Sequence, residues 1–249
     1  MVRIILCGAN GKMGKVIQSV VAARNDCEIV AGVDINTESS HFPVYSILSD
    51  VKEEADVIVD FTNPVLLNDL LEFAVSKTMP VVIATTGYDE SQKKQIEEAS
   101  KKTPVFFTYN MSLGINLLAN LAKKAVSVLG EGFDIEIVEK HHNQKIDAPS
   151  GTALMLADAI CSELDKPMKY EYDRHAKREK RTKNEIGMHA IRGGTIVGEH
   201  EIIFAGRDEI ITLSHSARSK EIFAVGAVNA AVFMKGKQPG MYDMSGLVE

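Results

Sequence analysis

The sequence predicts an α/β protein with two parts, a doubly wound parallel sheet of the nucleotide-binding type and a second α+β domain. Three observations lead to this prediction. Apolar runs of strand length alternate with helical patterns from the N-terminus to about residue 110. A glycine-rich turn follows the first run, and the pattern changes after Asn110. Strands that alternate with helices favour a parallel sheet with right-handed crossovers.

Five runs in the first part are interpreted as strands. They are mostly apolar without alternation, which is typical of parallel strands covered on both faces. Helical patterns separate them, and Pro64 is suited to the first turn of one helix. The predicted strands are Arg3–Gly8, Glu28–Asp34, Asp56–Phe61, Pro80–Thr85 and Val105–Thr108, and the helices include one around Val16–Val21, Val65–Ser76 and Ser91–Lys101.

In the second part, apolar and charged residues alternate in the first predicted strand, as in strands with one buried face. The last three strands resemble an antiparallel meander. The final helix is expected to return to the first domain, because chain termini often lie close together. In chain order the predicted elements are a helix at Leu113–Leu129, a strand at Phe133–Glu139, a helix from Gly151 to about Leu164, a polar stretch at Lys166–Glu185, strands at His189–Ile191, Glu199–Ala205 and Glu209–His215, and a helix at Glu221–Met234. The domains are thus residues 1–111 with 221–249, and residues 112–220.

Composition and charge exclude several classes of protein. Of the 249 residues, 45% are hydrophobic and 25% are charged, which excludes a disordered or collagen-like chain. The net charge of −6 argues against a chain-wide role in nucleic-acid binding. No apolar run reaches the ~18 residues of a membrane-spanning helix. Cys7, Cys27 and Cys161 are far apart and the N-terminus lacks a signal-peptide layout, so we expect a cytoplasmic protein without disulfides.

A turn with the pattern G-x-x-G-x-x-G, from Gly8 to Gly14, lies between the first predicted strand and the first predicted helix. Glycine permits a tight turn and lets a pyrophosphate approach the main chain. The start of the helix offers N–H donors and the positive end of its dipole to phosphates. This context favours a dinucleotide site over a tight turn without a ligand.

A carboxylate, Asp34, ends the second predicted strand, twenty residues after Gly14. At this place a carboxylate hydrogen-bonds the ribose hydroxyls of NAD and repels a 2′-phosphate. The following residues, Ile35 to Thr37, offer no Arg or Lys to that phosphate. The sequence therefore favours NADH over NADPH, with a solvated aspartate at a strand end as the alternative.

Two loops follow the fourth and fifth predicted strands, Ala84–Gly87 and Thr108–Met111. Ligands of open α/β sheets bind outside the carboxyl ends of the strands. Both loops are therefore candidates for the nicotinamide side of the site, and ordinary surface loops are the alternative.

The densest group of chemically active side chains lies between residues 139 and 152. Only one of the adjacent His141 and His142 can be central, since neighbours on a strand face opposite ways. Lys145 can converge with His141 on one anion, and Ser150 is a natural cap of a helix whose free N–H groups bind carboxylates. Histidine suits proton donation near neutral pH. Together with a nucleotide domain, the cluster favours hydride transfer to an acidic substrate.

Other interpretations stay open from the residues alone. The cluster can be a polar surface loop, or His141 and His142 can bind a metal, although no third ligand occurs at a convincing spacing. The chain can also be a different dehydrogenase, acting on an amino acid or a sugar, or a redox sensor that reads NADH without turnover. A substrate panel and a turnover assay discriminate these classes.

Five motifs carry a resemblance that covers essentially the whole chain. They are G-x-x-G-(R/K)-M-G at Gly8–Gly14, F-T-x-P at Phe61–Pro64, G-T-T-G at Ala84–Gly87, E-x-H-H-x-x-K-x-D-x-P-S-G-T at Glu139–Thr152, and R-x-G-x-x-x-G-E-H at Arg192–His200. With these motifs the sequence resembles the 4-hydroxy-tetrahydrodipicolinate reductases, long called dihydrodipicolinate reductases.

The resemblance implies a Rossmann domain and a substrate-binding domain whose mixed sheet builds a homotetramer. It implies NAD(P)H-dependent reduction of a cyclic dicarboxylate to tetrahydrodipicolinate in lysine and diaminopimelate biosynthesis, with His141 and Lys145 as catalytic proton donors. We expect no metal, nucleic-acid or membrane partner. The implied substrate contacts are His142, Lys145, Ser150, Gly151 and Thr152, and the implied nucleotide contacts are Gly8, Ala9, Asn10, Gly11, Lys12, Met13, Asp34, Phe61, Ala84, Thr85, Thr86, Thr108, Tyr109, Asn110 and Met111.

The chain departs from the family pattern near both sites. Asn143 and Gln144 stand where many members carry Arg and His, which lowers the positive charge beside the substrate. Ala84 replaces a glycine, and Lys12 replaces a common arginine, which keeps attraction for phosphate but loses the bidentate fork. The stretch Arg174–Lys183 carries six Lys or Arg residues and one Glu, and we favour a solvated loop over a segment that closes on anionic ligands.

Overall fold

The computed structural model describes residues 1–38 and 41–248, and the chain divides into two compact units. The first unit comprises Met1–Leu113 and Glu221–Glu249, and the second comprises Gly114–Lys220. The first unit contains β1 (Val2–Cys7), α1 (Lys12–Ala22), β2 (Cys27–Val33), β3 (Val44–Tyr45), β4 (Val57–Asp60), α2 (Leu67–Lys77), β5 (Val81–Ile83), α3 (Glu90–Ser100) and β6 (Pro104–Phe107). The second contains nearly all of α4 (Leu113–Leu129), then β7 (Asp134–His141), α5 (Gly151–Cys161), β8 (Lys169–Glu171), β9 (Glu185–Arg192), β10 (Gly198–Ala205) and β11 (Ile210–Ala217). The chain then adds α6 (Glu221–Met234), β12 (Gly240–Tyr242) and α7 (Ser245–Val248) to the first unit.

The strands of the first unit form one parallel sheet. Over the described residues this sheet has seven strands, in the order β12-β6-β5-β4-β1-β2-β3. Every neighbouring pair runs parallel, which confirms the fold class predicted from the alternation of strands and helices. The direction of winding reverses between β1 and β4, and such a reversal opens a crevice at the carboxyl ends of the strands.

Helices cover both faces of this sheet, because each helix has an apolar stripe to bury. On one face, Ile17 of α1 and Val228 of α6 pack in a core with Leu6 of β1. On the other face, Leu67 of α2 and Ile96 of α3 form a second core. The central strands are therefore buried on both sides, which explains their continuous apolar sequence.

Helix α6 approaches other backbone of its unit closely at Gly226. A β-carbon on this residue would overlap the carbonyl oxygen of Met111. The buried surface of the helix is made of small residues, and Ala224, Ala227 and Ala231 are wholly buried. Small side chains thus let α6 lie against the segment that follows β6.

The second unit contains a mixed sheet, as the resemblance implies. Within the described chain it has five strands in the order β11-β10-β7-β9-β8. Strand β10 runs antiparallel to β11 and β7, whereas β9 runs parallel to both β7 and β8. Helices α4 and α5 cover one face of the sheet.

The predicted antiparallel meander is wrong in its first member. Strand β9 does not pair with β10, because β7 lies between them. The connection from β7 to β9 passes through α5, and a helical crossover of this kind joins parallel strands. The strand is also longer than predicted, and the polar stretch Lys166–Glu185 contains β8. The short edge strands β3 and β12 are not predicted, because no apolar run or alternation in the sequence marks them.

One face of the second sheet changes from apolar to polar along its strands. Ile137 and Ile202 are cross-strand neighbours in the core beneath α4 and α5. Two residues further along β7, Glu139 faces His200, and His200 faces His215 on β11. Residues two apart on a strand share a face. The apolar core therefore ends in a polar cluster at the last residues of β7.

Among the described residues, no helix is long and apolar enough to cross a membrane.

Replacing Gly226 with Ala tests the close approach of α6. In most helices, replacing glycine with alanine raises the free energy of unfolding by about 1 kcal/mol. Here we expect a loss of about 1–3 kcal/mol, because the new methyl group overlaps a backbone carbonyl. Urea unfolding measures the difference. Gly132→Ala is the control, since a β-carbon there meets no atom within 4 Å. A higher urea midpoint for Gly226→Ala would contradict the packing described.

Candidate active site

The turn between β1 and α1 brings its main chain close to any ligand at the sheet edge. Gly8 has a φ of +79°, and a β-carbon there would lie 2.5 Å from the carbonyl oxygen of Phe61. The N-cap of α1 is Gly11, and no side chain caps the helix. The first N–H groups of α1 are therefore not used by a cap, and the helix dipole favours an anion there. The turn fits the pyrophosphate of a dinucleotide.

Asp34 lies directly after β2 and is tied to this turn. Its Oδ2 accepts the main-chain N–H of Asn10 at 2.9 Å, and its Oδ1 accepts that of Asn36 at 3.0 Å. The Asn10 side-chain amide donates to the carbonyl oxygens of Asn36 and Glu38, at 2.7 and 2.9 Å. A carboxylate has further lone pairs, so these bonds leave capacity for ribose hydroxyls.

A second carboxylate, Asp60, is buried at the end of β4. It accepts hydrogen bonds from the hydroxyl groups of Thr62 at 2.6 Å and Thr85 at 2.7 Å. The Thr85 hydroxyl oxygen in turn accepts the Thr62 N–H at 2.9 Å. Burial raises the pKa of Asp60, and the two hydroxyl donors partly offset that effect. This carboxylate joins the loop that contains Phe61 to the loop that contains Ala84–Thr86.

The loop after β6 completes the same edge of the sheet. Tyr109 is 66% exposed, and the Lys93 ammonium lies 5.5 Å from its ring centroid. Asn110 and Met111 are buried, whereas Thr108 is half-buried. The sequence-predicted nucleotide residues thus follow the carboxyl ends of β1, β2, β4, β5 and β6. The sequence gives no signal for Asp60, which is the group that holds two of these loops together.

In the second unit, four hydrogen bonds converge on the wholly buried carboxylate of Glu139. Arg192 approaches it with both terminal nitrogens, at 2.7 and 2.6 Å. His141 Nδ1 lies 2.6 Å from Oε2, and the main-chain N–H of Ser150 donates to Oε1 at 3.0 Å. An ionised carboxylate only accepts, so His141 donates from Nδ1. The other ring nitrogen, Nε2, is then the one left for chemistry.

The same guanidinium reaches the loop after β7. Arg192 Nη2 donates to the carbonyl oxygen of Asp147 at 2.6 Å. The Asp147 carboxylate pairs with the Lys145 ammonium at 2.8 Å. Loop, strand and guanidinium therefore form one connected network, and Lys145 lies in it through Asp147.

Ser150 begins helix α5 and contacts a third strand. Its hydroxyl accepts the Ala153 N–H at 3.2 Å, as an N-cap does. The same hydroxyl oxygen lies 3.1 Å from His200 Nε2, and the His200 ring stands edge-on to the His141 ring with centroids 5.2 Å apart. The start of α5 is thus placed beside His141.

Local electrostatics keep Glu139 charged and His200 neutral. Burial alone would raise the pKa of Glu139, but hydrogen bonds from Arg192, His141 and Ser150 outweigh it and hold that pKa below its usual value. Burial, with a smaller effect from His141, lowers the pKa of His200 to about 4. Burial also lowers the pKa of His215. His200 therefore carries no charge near pH 7.

The sequence names Glu139, Arg192 and His200 within motifs but assigns them no role. The alternation of faces along a strand predicts from the sequence alone that Glu139 and His141 share a face. The pairing of β7 with β9 and β10 brings in Arg192 and His200, and no local pattern encodes it. Of the predicted substrate residues, His142 is half-buried, Gly151 is exposed at the helix start and Thr152 is half-buried.

The basic stretch Arg174–Lys183 is anchored within the second unit. Its ion pairs argue against a segment that closes on anionic ligands, because cations paired with carboxylates of their own unit are not free to bind such a ligand. Arg181 is the most engaged, with bonds to Glu136 at 3.0 Å and Asp134 at 3.1 Å. The other pairs are Arg174 with Glu185, Lys177 with Glu171, and Lys183 with Asp134.

Over residues 1–38 and 41–248, no three His, Cys, Asp or Glu side chains converge in a geometry that could hold a metal ion.

Two family descriptions match the chain. "Dihydrodipicolinate reductase, N-terminus" matches residues 2–111, and "Dihydrodipicolinate reductase, C-terminus" matches residues 114–248. The matched segments together cover nearly the whole sequence.

Two relatives and one solved structure agree with these descriptions. A protein of Caldanaerobacter subterraneus subsp. tengcongensis, named 4-hydroxy-tetrahydrodipicolinate reductase, is 57% identical over 100% of this chain and 99% of its own. A protein of Clostridium tetani with the same name is 51% identical over 98% of this chain and 96% of its own. The dipicolinate-bound dihydrodipicolinate reductase from Paenisporosarcina sp. TG-14 superposes with a TM-score of 0.79 at 26% identity, over 98% of this chain and 97% of that one.

The depressed pKa of His200 predicts a loss of stability in acid. The unfolded histidine takes up a proton near its ordinary pKa of 6.5, whereas the folded one has a pKa of about 4. The unfolded state therefore binds more protons between these values, so stability falls as pH falls from 6.5 to 4, by at most about 3 kcal/mol. Urea unfolding across this range measures the slope. We expect His200→Gln to flatten this slope, whereas His175→Gln, an exposed control, should leave the slope unchanged. Equal slopes for the wild type and His200→Gln would refute the prediction.

Proposed function

Because the chain belongs to the dihydrodipicolinate reductase family, and is therefore an oxidoreductase, we propose that it reduces 4-hydroxy-tetrahydrodipicolinate to tetrahydrodipicolinate in lysine and diaminopimelate biosynthesis. The observation that supports this most strongly is the cluster in the second unit. There His141, oriented by a buried carboxylate, stands beside the capped start of α5. A proton donor beside an anion-binding helix start suits the reduction of an acidic substrate.

The proposed substrate class is a small cyclic dicarboxylate. The N–H groups of Gly151 and Thr152 at the start of α5 suit one carboxylate, because a helix start favours negative charge. Lys145 supplies a cation nearby, and His142 lies on the same loop. The solved relative from Paenisporosarcina is bound to dipicolinate, a molecule of this class.

The conversion adds a hydride and a proton to the ring and releases the 4-hydroxyl group as water, and a bound nicotinamide would supply the hydride. In our proposal His141 donates the proton from Nε2, since Nδ1 is engaged by Glu139 at 2.6 Å. Lys145 is the second proposed proton donor and holds the substrate anion. It must then exchange its partner Asp147, at 2.8 Å, for the substrate. Its half-buried position on a loop is compatible with that exchange.

NADH is the proposed preferred nucleotide, and NADPH is the alternative. The support is Asp34, which lies beside the glycine turn and carries a negative charge where a 2′-phosphate would sit. The glycine turn, Phe61, Ala84–Thr86 and Thr108–Met111 are proposed to hold the nucleotide, since all of them follow carboxyl ends of the first sheet.

Nucleotide oxidation by the purified protein tests the function. The substrate is generated in situ by the preceding synthase, and NADH and NADPH are assayed side by side. We expect rapid oxidation that depends on the synthase and is faster with NADH. Measurable NADH binding without oxidation would instead favour a sensor, and faster oxidation with NADPH would overturn the preference.

Replacing His141 with Ala tests the proton donor. Removal of a general acid lowers kcat by about 10²–10⁴-fold, while the dissociation constant for NADH changes little. Steady-state kinetics and fluorescence titration measure the two quantities. The neighbouring His142→Ala is the comparison, and it should raise KM more than it lowers kcat. An unchanged kcat in His141→Ala would remove this residue from the mechanism.

Replacing Asp34 with Ala tests the choice of nucleotide. The variant loses hydrogen bonds to a charged group, so NADH affinity should fall by about tenfold or more, while NADPH affinity falls less or rises. Because Asp34 also holds Asn10 and Asn36, the variant Asn10→Ala controls for loosening of the turn. Asn10→Ala should weaken the binding of NADH and of NADPH by a similar factor. Equal NADH binding by Asp34→Ala and wild type would discredit the ribose contact.

A further inference from the structure

We propose that Glu139 and Arg192 are positioning residues for His141. Glu139 sets the tautomer of the ring, and the two residues act in opposite directions on its acidity. This inference rests on the proposed function for its kinetic readout and on a spectroscopic readout that does not need it. Neither residue has a role in the site described from the sequence, and neither needs to touch the substrate.

Glu139 orients the ring of His141. The Glu139 carboxylate is wholly buried and receives the Nδ1 hydrogen of His141 at 2.6 Å. A ring nitrogen bound in this way keeps its hydrogen, so the neutral ring holds its lone pair on Nε2. Glu139 thereby directs the nitrogen that gains and loses the catalytic proton away from the carboxylate.

Arg192 balances the charge of the Glu139 carboxylate. A lone carboxylate beside His141 would stabilise its protonated form strongly and make it a weak acid. Arg192 prevents this, since it engages both carboxylate oxygens at 2.7 and 2.6 Å and neutralises most of that charge. Removal of the carboxylate leaves His141 beside an unbalanced cation, and removal of the guanidinium leaves it beside an unbalanced anion.

The other groups around His141 do not replace this pair. His200 is neutral near pH 7 because burial lowers its pKa to about 4, and burial also lowers the pKa of His215 behind it. Lys145 and Asp147 carry opposite charges 2.8 Å apart. The titratable and charged groups on the strands around His141 are Glu139 on its own strand, Arg192 on β9, and His200 on β10 with His215 beyond it on β11, and the loop that follows β7 carries His142, Lys145 and Asp147.

The kinetic test is the pH profile of kcat/KM in paired variants. We expect Glu139→Gln to move the basic limb of the profile to lower pH by about one to two pH units, and Arg192→Met to move it to higher pH by a similar amount. Arg192→Lys keeps the cation but loses the fork, so its limb should lie between wild type and Arg192→Met. A merely structural role would lower activity without shifts of opposite sign.

Matched controls exist on the opposite face of the same sheet. Lys140 pairs with Glu199 at 3.1 Å, one residue along the strand from both Glu139 and His141. Lys140→Met and Glu199→Gln change the net charge of the protein as the test variants do. Both should leave the basic limb where it is in wild type. Shifts of the same sign in Glu139→Gln and Arg192→Met, or no shift in either, would overturn the proposal.

The spectroscopic test reads the ring directly. Long-range ¹H–¹⁵N spectra of ¹⁵N-histidine-labelled protein distinguish the two neutral tautomers, and His141→Gln identifies the signal. We expect the hydrogen on Nδ1 in wild type and a larger Nε2–H population in Glu139→Gln. An unchanged tautomer in that variant would overturn the orientation step. If wild type turned over no substrate, the proposed function would fail, and this measurement would still decide the role of Glu139.

Discussion

The charge balance around the buried carboxylate of Glu139 is the constraint on which the second unit depends. An isolated buried carboxylate is costly, and breaking a buried ion pair costs about 3–5 kcal/mol. The carboxylate therefore requires Arg192 from β9, the His141 ring from β7 and the N–H of Ser150 before α5. One electrostatic requirement thereby fixes the His141 ring and the start of α5 relative to each other.

Carboxylates organise the first unit in a related way. A parallel sheet gathers its loops at one edge, but it does not fix their conformations. Asp60 joins the loops after β4 and β5 through two threonine hydroxyls, and Asp34 joins the glycine turn to the segment after β2. Neutral donors satisfy both carboxylates. The main-chain N–H groups at the start of α1 have no side-chain cap, and a negative ligand is favoured there.

The site of the second unit lies where its apolar core ends. Ile137 and Ile202 pack beneath the helices, and the next pair along the same face is Glu139 with His200. Histidines can continue a buried face only if they stay neutral, which burial enforces for His200. A hydrogen bond to Glu139 and a ring contact with His200 thus hold His141 against the residues at the end of the core.

Local patterns in the sequence determine much of this protein. Glycine spacing, apolar runs and the Ser150 cap predict the parallel sheet, the nucleotide turn and the start of α5, because turns, strands and caps depend on neighbouring residues. The motif around His141 also identifies the family. Tertiary structure decides the rest: β9 lies beside β7 instead of β10, and this pairing delivers Arg192 to Glu139. Asp60 gains its importance in the same way. Strand order and the balance of buried charges join residues far apart in sequence, so no local period records them, and only packing of the whole unit selects them.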